Sequence, residues 1–289
     1  MRIGIDLGGT KVNMGLVKDH QVQGATRRFL ISDCRDADDL VAKMKSTSEE
    51  LLKAADLSWD DLEFIGIGSP GPLNYKTGIV LKTPNLKIVV DYPLGPRLQA
   101  VTGIPVLINN DANCFTLGEQ KAGVACGQEY VLGVTLGTGF GLGFVYHGHI
   151  FNGATGTAFE FALTPYRDGV YEDYISGRGL AKIYTSITGE KIAPEEVTKR
   201  AKAGEKAALD AWEDFGGHLA QALITLVMVL DPDIIVIGGS MVAGWDFFYP
   251  NLTKQLFSHI HEGPRGHLRV ARSELGELAA IIGAASLNE

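Results

Sequence analysis

Two short segments of this chain share one design, in which an apolar strand runs into a glycine-rich loop. The first is residues 3–10, IGIDLGGT, and the second is residues 132–139, LGVTLGTG. Each apolar run carries one polar residue, Asp6 in the first and Thr135 in the second. Glycine loops let backbone N–H groups approach a bound anion closely. The repeat therefore predicts two related halves around one polyphosphate, as in a nucleotide-dependent enzyme.

The two loops match neither of the common nucleotide-binding motifs. GxxxxGK[ST] is absent, and residues 137–141 lead into a strand-like run, where a dinucleotide fingerprint needs a helix. Either loop alone could be an ordinary tight hairpin, but their resemblance to each other favours phosphate binding. The candidate phosphate-binding residues are Gly8, Gly9, Thr10, Gly137, Thr138 and Gly139.

The order of predicted elements also indicates an internal duplication. Predicted strands over 2–7, 11–17 and 21–31 precede a helix over 37–55, and three strands followed by helices return after residue 130. A buried strand is predicted over 104–108 and a terminal helix over 276–287. We predict a small N-terminal lobe of residues 1–112 with the helix 276–289, and a larger lobe of residues 113–275.

Composition excludes several classes of protein. The chain has 289 residues and a net charge of -8, which argues against non-specific binding to nucleic acid. Its three cysteines are far apart, so we expect neither a disulfide framework nor a zinc site, and a reducing compartment. The longest apolar stretch, 219–230, is too short to span a bilayer. We expect a soluble cytoplasmic protein without a nucleic-acid or membrane partner.

Two aspartates lie within or directly after predicted strands. Asp6 lies in an apolar strand, where an unpaired carboxylate is costly. It could face a nucleotide-bound Mg²⁺ ion through water, or it could cap the next turn. Asp111 follows a predicted strand and begins a predicted helix. It could accept the proton of an attacking hydroxyl, or it or Asn110 could cap the helix.

Two glutamates are candidates for binding a polyhydroxylated ligand, because ionised carboxylates only accept hydrogen bonds. Glu160 lies in an otherwise apolar stretch, whereas Glu172 could equally be a solvated helix residue. His147 and His149 flank Gly148 and are interpreted as a surface turn rather than a metal site.

Taken in order, these motifs resemble the ROK family of sugar kinases and sugar-responsive repressors, within the actin-like ATPase superfamily. The resemblance covers nearly the whole chain. Its motifs are residues 4–11 (GIDLGGTK), 66–72 (GIGSPGP), 83–86 (TPNL), 110–113 (NDAN) with 118–119, 136–141 (LGTGFG) and 237–239 (IGG). It implies an α/β, two-lobed, actin/hexokinase-like (ribonuclease H-like) fold with an internal duplication.

The resemblance also implies an activity and a set of site residues. The activity is that of an ATP- and Mg²⁺-dependent kinase acting on a hydroxyl of a hexose or N-acetylhexosamine, and a homodimer is expected. Asp111 becomes the general base, and Asp6 faces Mg²⁺ through water. The substrate-binding set is Gly71, Asn85, Asn110, Asp111, Glu160 and Glu172. The nucleotide-binding set adds Asp6, Lys11, Thr135, Gly238 and Gly239 to the loop residues above.

The chain departs from the family's zinc-containing members after the second loop. Those members have Glu-x-Gly-His, a cysteine cluster, and a second Glu before Ser-Gly-Arg. Glu160 and Glu172 match the two acids, but Leu163 replaces the histidine and residues 164–171 contain no cysteine. We therefore expect no zinc, a less polar sugar site, and a loop held by packing of Tyr166, Tyr171 and Tyr174. The alternative function is a sugar-sensing ROK protein without catalysis.

Overall fold

A computed structural model of the chain describes residues 1–83 and 86–289. Its strands are β1 (Arg2–Leu7), β2 (Lys11–Lys18), β3 (Gln21–Leu30), β4 (Phe64–Ser69), β5 (Leu73–Asn74), β6 (Ile79–Val80), β7 (Val106–Asn110), β8 (Tyr130–Leu136), β9 (Phe140–Tyr146), β10 (His149–Ile150), β11 (Pro165–Tyr166), β12 (Gly169–Val170), β13 (Ile234–Gly238) and β14 (Arg269–Arg272).

The helices are α1 (Ala37–Ala54), α2 (Leu94–Thr102), α3 (Asp111–Ala122), α4 (Gly177–Thr188), α5 (Pro194–Lys202), α6 (Lys206–Leu230), α7 (Trp245–His259), α8 (Glu262–His267) and α9 (Leu278–Ala284). Short 3₁₀ turns occupy Ile31–Asp33, Trp59–Asp61, Glu160–Leu163, Tyr171–Asp173 and Ser240–Gly244. None of the helices in the described residues combines the length and apolar character needed to cross a bilayer.

Two five-stranded sheets repeat one arrangement. The first has the order β3-β2-β1-β4-β7, and the second has the order β10-β9-β8-β13-β14. In the first, β1 pairs antiparallel with β2 and parallel with β4. In the second, β10 pairs antiparallel with β9, and β13 pairs parallel with both β8 and β14. The internal duplication predicted from the sequence is confirmed.

The strands that lead into the glycine loops fully bury the face that carries their large apolar side chains, as expected for central strands of a covered sheet. Ile3, Ile5 and Leu7 of β1 are fully buried, and so are Leu132, Val134 and Leu136 of β8. In each strand a buried glycine, Gly4 in β1 and Gly133 in β8, alternates with these side chains and leaves room for a close neighbour on the opposite face. These strands therefore hold the start of each loop in a fixed position.

The backbone of helix α9 packs directly against the backbones of its neighbours. A Cβ on Gly4 would lie 2.0 Å from the Ile281 carbonyl oxygen, and one on Gly66 would lie 1.8 Å from that of Ala284. On the α3 side, a Cβ on Gly118 would lie 1.9 Å from the Ala279 oxygen. A methyl group fits at none of these positions, so the glycines are required for α9 to pack on β1, β4 and α3.

The chain divides into two compact units. The first comprises residues 1–129, 143–158 and 274–289, and the second comprises residues 130–142 and 159–273. These units differ from the lobes predicted above, with α3 and the segment 143–158 in the first unit. The lobe boundaries stay a prediction.

Two local predictions were wrong, and one helix was missed. The strand predicted as buried over 104–108 is β7, shifted by two residues, and its Leu107 is 37% exposed because β7 is the outer strand of its sheet. The terminal helix is shorter than 276–287. Helix α2 was not predicted, because Gly95 and Pro96 mimic a loop, although proline is tolerated in the first turn of a helix.

Candidate active site

The first glycine loop is a closed backbone turn between β1 and β2. The Gly8 amide donates to the Lys11 carbonyl at 2.9 Å, and the Ile31 amide donates to the Thr10 carbonyl at 2.9 Å. Gly9 and Thr10 are exposed at the tip. The loop can therefore present backbone N–H groups to an anion without breaking its own hydrogen bonds.

Asp6 is the penultimate residue of β1, two positions before this loop. It lies opposite Asn13 of β2, and the Asn13 side-chain amide donates to Asp6 Oδ2 at 3.2 Å. Burial raises the pKa of Asp6, while Asn13 and the nearby Lys11 oppose the rise. The described bond is thus to the neighbouring strand rather than to the next turn. A single carboxylate beside an amide suits a Mg²⁺ ion that keeps most of its waters.

Lys11 directly follows the first loop and contacts a residue near the C-terminal end of the chain. Its ammonium pairs with Glu277, directly before α9, across 266 positions of sequence. The hydrogen bond from Lys11 lowers the pKa of Glu277. Sequence analysis missed Glu277, because no local pattern marks a residue so far from the loop.

Strand register brings the remaining polar residues of the first unit to one sheet edge. Asp6 of β1 pairs with Gly68 of β4, and Gly68 pairs with Asn109 of β7. Neighbouring strands lie about 4.8 Å apart, so Asp6 and the end of β7 are separated by about 10 Å of sheet. The turn carrying Gly71 follows β4 at the same edge. Clefts of α/β folds open at this edge of a parallel sheet.

Asn110 rather than Asp111 caps helix α3. The Asn110 Oδ1 accepts from the amides of Ala112 and Asn113 at 2.9 and 3.3 Å. Asp111 is the first helical residue, and its Oδ1 accepts from the Ala112 amide at 2.8 Å. The alternative left open by the sequence is resolved in favour of Asn110 as the cap. The helix dipole stabilises a negative charge at Asp111.

The second glycine loop closes like the first but is braced by a later segment of the second unit. The Gly137 amide donates to the Gly139 carbonyl at 3.0 Å, and Thr138 is exposed at the tip. The Gly177 amide, at the start of α4, donates to the Gly137 carbonyl at 2.8 Å. The Phe140 amide donates to Glu172 Oε2 at 3.1 Å. The loop and the turn Tyr171–Asp173 are therefore one hydrogen-bonded assembly.

The two candidate sugar-binding acids lie on neighbouring 3₁₀ turns. Glu172 is half-buried and receives a hydrogen bond from Arg178 at 2.9 Å in addition to that from Phe140. Glu160 reaches solvent, yet desolvation and the charge of Glu172 raise its pKa. Glu172 thus has a structural role that the sequence did not indicate, and Glu160 is the more available acceptor.

A third loop lies beside the second glycine loop. Gly238 of β13 pairs with Thr135 of β8, and Ser240 Oγ lies 3.7 Å from where a Cβ of Gly137 would be. Gly239 has φ of 90° and approaches the Leu136 carbonyl too closely for a side chain. Next to this loop is a cavity of about 370 Å³, which sequence analysis missed; it is lined by Pro194, Glu195, Thr198, Lys199, Lys202, Ser240, Met241 and Ala243.

Three other expectations concern residues away from these loops. Asn85 lies outside the described residues. Within residues 1–83 and 86–289, no three His, Cys, Asp or Glu side chains are grouped so that they could hold a metal ion. His147 and Gly148 form a turn with positive φ, as predicted.

Comparison with known proteins places the chain in a family. The N-acetyl-D-glucosamine kinase of Photobacterium profundum is 31% identical over a 308-residue alignment, covering 100% of this chain and 99% of that protein. The glucokinase of Thermotoga maritima is 29% identical, covering 99% and 96%.

A solved structure gives the same result. The ROK family glucokinase from Streptomyces griseus, in complex with glucose and AMPPNP, superposes with a TM-score of 0.82 at 25% identity, covering 99% of this chain and 98% of that one. The predicted actin/hexokinase-like fold class is confirmed. The model of the ROK family matches residues 2–289, and the chain belongs to the ROK family.

Proposed function

We propose that this chain is an ATP-dependent sugar kinase that phosphorylates a hydroxyl of a hexose or N-acetylhexosamine. The observation that carries the proposal is Asp111, a carboxylate at the first position of α3 whose capping role is taken by Asn110. Relatives named N-acetyl-D-glucosamine kinase and glucokinase support the same reaction.

The phosphate donor is assigned to the glycine loops and the cavity beside them. The Gly8 and Gly137 amides donate to carbonyls of their own loops and so shape the loops. The backbone N–H groups of Gly9, Thr10, Thr138 and Gly139, with the two threonine hydroxyls, are proposed to donate to phosphate oxygens. The cavity next to Gly238 and Gly239 has the apolar side chains of Pro194 and Met241, which suit a purine ring. When bound near Asp6, Mg²⁺ would neutralise charge that develops on the phosphates.

The acceptor sugar is assigned to acids and amides. The amide nitrogen of Asn110 can donate to a hydroxyl, whereas its oxygen is committed to the helix cap. Glu160 accepts from hydroxyls, and Gly71 and Asn85 are proposed to contribute from the first unit. Leu163 is 61% exposed on the turn that carries Glu160, so that side of the site offers no hydrogen bond.

Asp111 carries the chemical step. As the sugar oxygen forms its bond to the γ-phosphorus and the bond to the bridging oxygen of ADP breaks, the hydroxyl proton passes to the Asp111 carboxylate. The proton is then released to solvent. The helix dipole of α3 keeps this carboxylate favourably placed as an anion before the step.

The test is a coupled ADP-release assay across hexoses, N-acetylhexosamines and 2-deoxyhexoses. We expect turnover with at least one sugar, and loss of kcat by about 10²–10⁴-fold in Asp111→Ala with an unchanged circular dichroism spectrum. Asp246→Ala removes an exposed aspartate from the first turn of another helix, α7, and serves as the control. An Asp111→Ala variant with wild-type kcat would contradict the assignment.

The same assay tests the second candidate, a ROK protein that senses sugar without phosphorylating it. The replacement of the family's histidine by Leu163 favours this candidate. It predicts measurable ATP or sugar binding by calorimetry with no turnover on any member of the panel. The homodimer and the cytoplasmic location remain predictions, and light scattering of the purified protein tests the first.

A further inference from the structure

Three aromatic rings are stacked between the two turns that carry Glu160 and Glu172. The Phe161 and Tyr171 rings stack with centroids 4.9 Å apart, and the Tyr171 and Tyr166 rings stack at 4.3 Å with an interplanar angle of 13°. Phe161 directly follows Glu160, and Tyr171 directly precedes Glu172. We call Phe161, Tyr171 and Tyr166 the ring stack.

The free end of the ring stack is anchored to the longest helix of the second unit. The Tyr166 hydroxyl lies 3.0 Å from Nδ1 of His218, which is 7% exposed on α6. Tyr174 packs edge-on against Tyr166 at 5.3 Å and contacts the His218 ring at 4.8 Å. Burial, with the charges of Arg167 and Lys182, lowers the pKa of His218 to about 4. A neutral imidazole has one acceptor nitrogen, which suits a phenol donor.

The backbone between the turns is closed by the hairpin β11–β12. Tyr166 pairs with Gly169, and the Tyr171 amide donates to the Thr164 carbonyl at 3.2 Å. The Val170 amide donates to Asp173 Oδ2 at 3.1 Å. Residues 164–171 contain neither cysteine nor histidine, so side-chain packing and hydrogen bonds hold this segment.

The two acids depend on the ring stack to different degrees. Glu172 is also fixed by the Phe140 amide and by Arg178, and its carbonyl accepts from the Ser176 hydroxyl at 2.7 Å. The residue before the turn Glu160–Leu163 is Phe159, whose φ of 67° is left-handed and whose side chain makes no capping hydrogen bond. Loss of the ring stack would therefore release Glu160 first.

We propose that Tyr166 and His218 are positioning residues that fix Glu160 relative to Glu172 through the ring stack, and so set the affinity for the acceptor sugar. The inference rests on the proposed kinase function. It assigns a role to two residues that neither the sequence motifs nor the glycine loops identify. Phe161 and Tyr171 connect Tyr166, which is anchored on α6, to the turns that carry the two glutamates.

The test compares Tyr166→Leu, which removes the stacked ring, with Tyr166→Phe, which keeps the ring and loses the hydroxyl. Tyr249→Leu is the matched control, because Tyr249 stacks on Trp245 at 4.5 Å within α7 of the same unit. Steady-state kinetics are measured for the best sugar of the panel and for ATP, and thermal unfolding is measured for every variant.

We expect Tyr166→Leu to raise the KM for sugar by about tenfold or more, because a misplacement of 1 Å can cost about 10²-fold. The KM for ATP should change by less than about twofold, because Glu172 and the second loop keep their own bonds. Tyr166→Phe, which keeps the ring but loses the hydrogen bond to His218, should raise the KM for sugar by a smaller factor, about two- to fivefold. Tyr249→Leu should leave the KM for sugar unchanged at a comparable loss of thermal stability.

Two results would overturn the inference while the proposed function stands. One is a folded Tyr166→Leu variant with the wild-type KM for sugar. The other is an equal rise of both KM values, which a general loss of structure would produce. Absence of sugar turnover in the wild-type protein would instead overturn the proposed function, and this role with it.

Discussion

The two glycine loops share a backbone design but differ in what holds them. In both, an amide at the start of the loop donates to a carbonyl two or three residues later. The first loop is tied to α9 through Lys11 and Glu277, an ion pair between partly exposed side chains. The second is held by hydrogen bonds to its backbone. Glu172 ties it to the turn Tyr171–Asp173, and Gly177 ties it to α4.

This difference indicates a division of roles. An ion pair between exposed side chains is weak and easily exchanged, so Lys11 can leave Glu277 for a phosphate oxygen at little cost. Hydrogen bonds from a backbone amide to a carboxylate are stronger, so the second loop is held more firmly to the turn Tyr171–Asp173. Under the proposed function, the first loop would be the adjustable one, and the second loop would couple the phosphate site to the turn that carries Glu172.

The largest effect is expected for Glu172→Ala, which removes a bond that distinguishes the second loop from the first. The change removes the acceptor of the Phe140 amide and also a candidate sugar contact, so we expect kcat/KM to fall by about 10²-fold for both substrates. Initial-rate kinetics with each substrate varied in turn check this. A rise confined to the KM for sugar would show that Glu172 does not brace the second loop.

A smaller effect is expected at the first loop. Glu277→Gln leaves Lys11 without its ionic partner, and we expect the KM for ATP to change by about two- to fivefold with the KM for sugar unaffected, since exposed pairs contribute about 0–1 kcal/mol. Glu262→Gln, in the first turn of α8, is a control of the same chemistry. An effect of Glu277→Gln as large as that of Glu172→Ala would erase the contrast between the loops.

The pH dependence of stability gives the smallest and most specific signal. Folding lowers the pKa of His218 from 6.5 to about 4. Between these two pH values the His218 imidazole therefore stays neutral in the folded protein, whereas in the unfolded chain it takes up a proton. Stability contributed by neutral His218 is thus full above about pH 6.5 and declines as the pH falls toward about 4. The groups facing it are Tyr166, Tyr174, Arg167 and Lys182, with Asp214 lining the same cavity.

We therefore expect acidification from about pH 7 to about pH 4.5 to lower the Tm of the wild-type protein more than that of His218→Gln. Differential scanning calorimetry at both pH values measures the difference. Equal losses in the two proteins would exclude His218 as the titrating group. Activity at neutral pH separates this thermal effect from the role in sugar affinity.

Local patterns account for what the sequence predicted well. The strand–loop–strand repeats, the helix over 37–55 and the helices after residue 177 follow from periodicity and glycine spacing, and all are present. Helix α2 was missed because Gly95 and Pro96 resemble a loop when read locally. The roles of Asn110 and Asp111 could not be separated, since both are good capping residues and only geometry distinguishes them.

The parts of the candidate site that were missed are set by residues distant in sequence. Glu277 reaches Lys11 across 266 positions, and His218 of α6 reaches Tyr166 of β11 across 52 positions. No periodicity marks such partners. The suggestion that Tyr166, Tyr171 and Tyr174 pack together was correct, and the hairpin β11–β12 closes the same segment through backbone hydrogen bonds.

The close fit of α9 has a consequence for the order in which the chain is made. Gly4 and Gly66 are synthesised early, whereas the helix that covers them with its carbonyl oxygens emerges with residues 278–284. Domains tend to fold as they leave the ribosome, N-terminal parts first. The first unit therefore waits, with one face of β1 and β4 uncovered, while the whole second unit is translated. A chaperone that shields this face during synthesis would have a defined interval in which to act.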